Sequence, residues 1–367
     1  MRNFILIILI ALVIGCKNEG EVITPNPIEN EVEIYFPPVG QDQWETVDPG
    51  SLGWDLPAID GLDQFMIESK SRALIVLKHG KIAIEKYAGE SLAGQPFTEK
   101  SHWYWASAAK TLTASLTGIG AQEGYIDLEA SSSDYLGHQW STMTEDQEDA
   151  VKVIHHLTMT TGLETPLLNL DCTDAECLAY RTEPGSRWFY HNAPYTILDQ
   201  IIVGASGKEF NVYFNSKIRN PIGMDGFWIY GGYNHLYFSS PRSMARFGIM
   251  IQNEGKWNDQ QIVDADFVRD MTTPSQTLNE SYGYLWWLNG QDSYILPGLA
   301  TPFNGSIIPE APQNSFAAMG KNGQILHIAP DEGLIIVRMG DNPDESFVPM
   351  QFFRDLWSQI NLIIDPN

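Results

Sequence analysis

The chain has 367 residues, with 22 basic and 46 acidic side chains, a formal charge of −24, and 43% hydrophobic residues. That charge excludes nucleic acid as a partner and excludes electrostatic binding to anionic lipid. The apolar fraction supplies a sizeable core and excludes general disorder.

Met1-Arg2-Asn3 is a short cationic start, followed by an apolar run over residues 4–14. The run is too short to span a bilayer and reads as the apolar segment of a signal peptide, residues 1–15. It ends in Leu12-Val-Ile-Gly-Cys16. A small residue before cysteine at this place resembles a bacterial lipoprotein cleavage box. Cys16 is then the lipidated first residue of the mature chain, which is anchored rather than spanning. An ordinary secretory signal with an incidental cysteine is the alternative. The expected location is the bacterial cell envelope, with membrane contact through the lipid alone. Residues 16–43, polar and carrying Pro25 and Pro27, read as a tether.

A single hydrolase domain is expected over residues 44–362. Residues 44–60 are irregular, and 62–69 fit a short amphipathic helix. Ala73-Leu-Ile-Val-Leu-Lys78 and Lys81-Ile-Ala-Ile-Glu-Lys-Tyr87 flank His79-Gly80, which predicts a β-hairpin. Next comes Trp103-Tyr-Trp-Ala-Ser107-Ala-Ala-Lys110, opening an apolar helix to about residue 124. In a helix i and i+3 share a face, so the hydroxyl and the amine meet one turn apart. That is the arrangement of a nucleophile and its base, at a helix start whose free N–H groups suit an oxyanion.

Helices are expected over 149–159, 195–204, 209–218 and 241–253. Cys172 and Cys177 could close a small disulfide loop or remain free thiols, and their acidic neighbours argue against a nucleophilic role. No zinc-type spacing is present. Tyr190-His191-Asn192 lies in a loop by composition. In extended chain i and i+2 point the same way, so the phenol and the amide can both face Ser107. His191 then points away. After about residue 280, residues 282–287 read as a strand and 294–314 as loop. Three further strands, 315–319, 324–328 and 334–339, precede a closing helix over 348–364. Ala318-Met319-Gly320-Lys321-Asn322-Gly323-Gln324 joins two of these strands. A glycine beside a strand lets backbone approach a ligand. Strands at both ends with helices between predict an α+β fold: one antiparallel sheet from both chain ends (44–102 and 280–362) and an inserted helical part (103–279).

The Ser107, Tyr190 and Gly320 motifs, in this order, resemble the serine β-lactamase and penicillin-binding family in its broad sense. That family includes class C-like β-lactamases, D-alanyl carboxypeptidases, esterases and 6-aminohexanoate-dimer hydrolases. The resemblance extends through His156-Leu-Thr-Met-Thr-Thr-Gly-Leu163, Glu183-Pro-Gly-Ser-Arg-Trp and Arg242-Ser-Met-Ala-Arg-Phe-Gly248. It implies a β-lactamase/transpeptidase-like fold and a serine hydrolase without cofactor or metal, acting on a small-molecule ester or amide or on a peptide. Carried over, Ser107 is the acylated nucleophile, Lys110 and Tyr190 share the acid and base roles, and Asn192 orients the substrate. The backbone N–H groups of Ser107 and Lys321, beside Gly320, form the oxyanion hole. Trp103 and Trp188 flank motif residues and are expected to line the acyl pocket. Penicillin-reading members carry Lys-Thr-Gly or His-Thr-Gly where this chain has Ala318-Met319-Gly320. Lys321, as a strand neighbour, would face the other way. An ester or amide substrate therefore fits better than a β-lactam or a D-alanyl peptide. A non-catalytic binding lipoprotein on the same fold is the remaining reading.

Overall fold

The computed structural model describes residues 33–165, 169–346 and 348–365. The signal segment and Cys16 lie outside them. The compact unit begins at Ile34, ten residues before the expected boundary at Trp44. Part of the expected tether is therefore built into the fold. The Tyr35 N–H donates to the His79 carbonyl, Phe36 packs edge-on against Trp257, and Arg246 donates to the carbonyls of Pro37 and Pro38.

Helix α1 (Leu56–Glu68) starts at Asp55, whose side chain caps the Ala58 N–H. It leads into strands β1 (Ser71–Lys78) and β2 (Lys81–Tyr87). Their turn residues, His79 and Gly80, both have positive φ, as a tight hairpin requires. Strand β3 is short, Trp103–Tyr104, and a 3₁₀ turn over Ala106–Ala109 precedes helix α2 (Lys110–Gln122). Residues Lys110 to Gly120 of α2 are all buried, so it is a central helix rather than an amphipathic one. Helix α3 spans Asn192–Ser206. Strands β4 (Phe227–Gly231) and β5 (Asn234–Ser239) follow, then helix α4 (Pro241–Gln252). Strand β6 (Trp287–Leu288) is two residues long, and β7 (Phe316–Gly320), β8 (Gln324–Ala329) and β9 (Leu334–Gly340) form a meander. Helix α5 (Met350–Ile364) closes the chain.

The expected sheet is present. Its order is β2-β1-β9-β8-β7-β6, antiparallel in every pairing, so strands from the two chain ends meet at β1 and β9. Strands β7, β8 and β9 are buried throughout because helices cover both faces. Helix α4 packs on β9, β8 and β1, where Gly248 allows close approach: a Cβ there would lie 2.8 Å from Leu326. Helix α1 packs on β1 and against α5, with Phe65 stacked on Phe352.

Three expectations change. The inserted part is not wholly helical, since β3, β5 and β4 form a second sheet. Of the expected strand over 282–287 only Trp287, the first residue of β6, is strand; the residues before it form a tight loop, with Leu285 in a left-handed conformation and the Tyr284 N–H bonded to the Met271 carbonyl. The 209–218 segment is α-helical over Phe210–Phe214 and then widens to a π turn over Asn215–Arg219.

Candidate active site

Ser107 sits in the 3₁₀ turn ahead of α2, not in the α-helix itself. At three residues per turn, i and i+3 eclipse more closely than in an α-helix. Lys110 Nζ accordingly lies 3.0 Å from Ser107 Oγ. Ala106, immediately before the serine, has φ of 49°, a left-handed conformation uncommon for alanine. Backbone held this way collects where function over-determines it.

Lys110 is buried between two aromatic rings, 5.1 Å from the centroid of Tyr190 and 4.3 Å from that of Tyr195. Burial pushes its amine down to about 7, against an upward pull from the Asp171 carboxylate. Burial pushes the Tyr190 phenol well above its ordinary range, and a hydrogen bond from Ser107 opposes that shift in part. The two groups are thus separated: near neutrality the amine can be free of its proton while the phenol keeps its own.

Tyr190 and Asn192 both line a cavity of about 530 Å³ together with Ser107, Lys110, Gly320 and Lys321. The stretch is not extended throughout as expected: Asn192 already begins α3 and only His191 before it is extended. His191 is buried, and burial pushes its imidazole down to about 4. The His156 motif supports this arrangement from behind. The His156 ring bonds the Pro194 carbonyl in the first turn of α3 and the Ser132 hydroxyl.

Gly320 ends β7 against the turn that carries Ser107. A Cβ on it would lie 2.5 Å from the Trp105 carbonyl oxygen and 3.1 Å from the Ser107 nitrogen. The turn that follows is held from two sides. Arg338, itself buried, donates to the Asn322 carbonyl, and the Asn322 amide donates to the Tyr104 hydroxyl. This turn is a 3₁₀ piece rather than strand, so the strand rule that would turn Lys321 away does not apply to it. Lys321 lines the cavity and is exposed.

Trp103 and Trp188 do not line the cavity. Trp103 falls on the buried face of β3, opposite Ser239, and donates its indole N–H to the Gly340 carbonyl. Trp188 packs edge-on against Tyr282 and Trp287. The wall position belongs to Trp287, on which the Tyr190 ring is stacked at 5.8 Å.

Two cavity features were missed in the sequence. Asp171 accepts from the Asn192 amide at 2.6 Å and from the Asn234 amide at 2.8 Å, which places a carboxylate in the cavity wall. Its loop is tied down by a disulfide between Cys172 and Cys177. His235 also lines the cavity and is paired with buried Asp199 at 2.7 Å. Neither Asp171 nor His235 stands at a motif spacing. The even choice left open for the two cysteines was the one available hint to the Asp171 loop.

A family model of beta-lactamases matches residues 62–347. Among solved structures, a Bacillus anthracis protein assigned as a 6-aminohexanoate-dimer hydrolase is similar at 21% identity and TM-score 0.64, covering 82% of this chain and 81% of that one. A Bacteroides dorei protein assigned as a beta-lactamase has 17% identity and TM-score 0.66, covering 85% and 99%. EstCE1, a hydrolase with promiscuous acyltransferase activity, has 12% identity and TM-score 0.60, covering 85% and 99%. No curated protein sequence matches the chain. The solved structures support the fold, and the match over most of the chain carries the family: the chain belongs to the beta-lactamase family of serine hydrolases.

Proposed function

We propose that the protein hydrolyses an ester or amide through an acyl-enzyme on Ser107. The observation that carries this reading is the contact between Ser107 Oγ and a buried Lys110 amine whose pKa falls to about 7. Lys110, neutral at working pH, takes the Ser107 proton as Oγ attacks the substrate carbonyl. The N–H groups of Ser107 and Lys321 receive the oxyanion. Tyr190, still protonated, stands beside the nucleophile to pass a proton to the leaving group. The Lys110 ammonium then replaces the proton Tyr190 gave up, which frees the amine to take a proton from the water that attacks the acyl-enzyme, and that proton returns to Ser107 Oγ as the acid leaves. Asn192, oriented by Asp171, aligns the substrate.

The Ala318-Met319-Gly320 strand and the Asp171 carboxylate both favour an ester or amide without a neighbouring carboxylate. Lys321, an exposed cation among the cavity residues, favours a second reading, a D-alanyl peptide or β-lactam whose carboxylate it would meet. Intact mass after exposure to a fluorophosphonate, a penicillin and p-nitrophenyl esters separates the readings, with Ser107→Ala as control. No mass gain with any reagent would sink the enzyme reading, and stable acylation by penicillin alone would favour the second.

The residues before the compact unit support a further part of the proposal. The Leu12-Val-Ile-Gly-Cys16 box suits lipidation and export to the bacterial cell envelope. Metabolic labelling with a fatty acid, lost in Cys16→Ala, tests it.

A further inference from the structure

The second sheet breaks the usual alternation of a half-buried antiparallel sheet. Cross-strand partners share a face. The pairs Trp228↔Tyr237 and Trp103↔Ser239 lie on the buried face. The pairs Phe227↔Phe238, Ile229↔Leu236 and Tyr104↔Phe238 lie on the other. A solvated face normally carries polar residues. This one carries Tyr104, Phe227, Ile229, Leu236 and Phe238, with Phe227 48% and Ile229 44% exposed. Phe227 is stacked on Phe238 at 5.7 Å and 7°.

The face meets the catalytic cavity at the Asn234 end of β5. Asn234 and Leu236, on this face of β5, line the cavity wall, and Asn234 also holds Asp171. Tyr104 accepts from Asn322, in the turn that follows Gly320. Much of the cavity lining is apolar as well, including Leu170, Trp287, Leu296 and Met319.

We propose that this face extends the substrate site and receives a hydrocarbon chain attached to the scissile ester or amide. The chain leaves the cavity past Leu236 and lies over Phe238, Phe227 and Ile229. Size argues for a substrate chain over a protein partner. A ribbon two strands wide and four residues long covers roughly 10 by 13 Å, whereas a stable protein interface takes about 800 Å² from each side.

The inference rests on the ester- or amide-hydrolysis reading, and its test keeps the two apart. kcat/KM is measured below micellar concentration for two series: p-nitrophenyl esters of acetate to dodecanoate, and butyrate esters of methanol to octanol. The proteins are the native chain, Phe227→Ser and Ile229→Asn. Both positions are exposed and outside the cavity, so turnover of p-nitrophenyl acetate serves as the basal activity. The expected result is a gain of about tenfold from four to eight carbons in one series, with most of that gain lost in both variants and acetate turnover unchanged. The series that shows the gain tells whether the chain is on the acyl or the alcohol side. A flat response in both series, or a gain that survives in both variants, overturns the proposal. If not even the acetate acylates Ser107, the hydrolase reading itself falls and this one with it.

Discussion

Gly320 and Ser107 stand backbone to backbone: a methyl group built on Gly320 would lie 3.1 Å from the Ser107 nitrogen. The strand that ends at Gly320 and the turn that carries Ser107 are therefore packed without room for any side chain between them. Gly320→Ala must push β7 away from the Ser107 turn, and with it the Lys321 N–H. Loss of one oxyanion donor costs about 10²–10³ in rate. The expected outcome is a kcat lowered by about a hundredfold or more with KM little changed. Far-ultraviolet circular dichroism should stay native, since the other face of β7 is untouched.

With Lys110 as the base of the proposed mechanism, its amine sets the acid limb of activity. Because burial lowers its pKa to about 7, the base form is lost as pH falls through that value. kcat/KM should decline about tenfold per pH unit below it. The Asp171 carboxylate stabilises the ammonium form and so raises this pKa. Asp171→Asn removes that charge and should move the limb to lower pH. A limb that stays in place, or moves up, would contradict the assignment of Lys110 as base.

Tyr190→Phe separates chemistry from packing. The phenylalanine ring can keep the stack on Trp287 while the hydroxyl beside Ser107 is lost. The expected kcat loss is about 10²–10⁴, with the thermal midpoint within a few degrees of the native chain (about 4 °C per kcal/mol at most in this size class). A large drop in midpoint would mark Tyr190 as structural.

The Cys172–Cys177 disulfide ties down the loop that carries Asp171, and Asp171 in turn orients Asn192. The Cys172→Ser, Cys177→Ser double variant should raise KM several-fold more than it lowers kcat. Its stability cost should sit near the low end of the usual range for a disulfide, about 2 kcal/mol, because the closed loop is short. Denaturant unfolding and steady-state kinetics on the same sample check both parts.

Three buried histidines make the fold acid-sensitive. Burial pushes His156 and His191 down to about 4 and His327 to about 3. Their unfolded-state value is near 6.5, so between those limits the unfolded chain binds more protons than the folded one. Stability should be fully present above pH 6.5 and fall progressively between 6.5 and about 4. Urea midpoints across that range measure it, and a flat profile would refute the three burials.

The sequence by itself determined the sheet from both chain ends and the order of the chemistry-bearing motifs. Alternating and fully apolar strand runs, the His79-Gly80 turn and the three-residue step from Ser107 to Lys110 are local patterns, readable without knowing what lies beside them. The same locality explains the misreadings. Trp103 and Trp188 flank motif residues in the chain, but strand facing and the Trp287 stack decide which indole meets the cavity. Lys321 reads as a strand neighbour, yet the chain leaves the strand at Gly320 for a turn held by Arg338 and Tyr104. Asp171, His235 and the apolar outer face of β4 and β5 have no spacing to betray them. Asp171 reaches the cavity wall through long-range hydrogen bonds from Asn192 and Asn234, and His235 is held there by Asp199, 36 residues away. Only tertiary structure decided these, because a cavity wall is assembled from segments whose separation along the chain carries no signal of their contact.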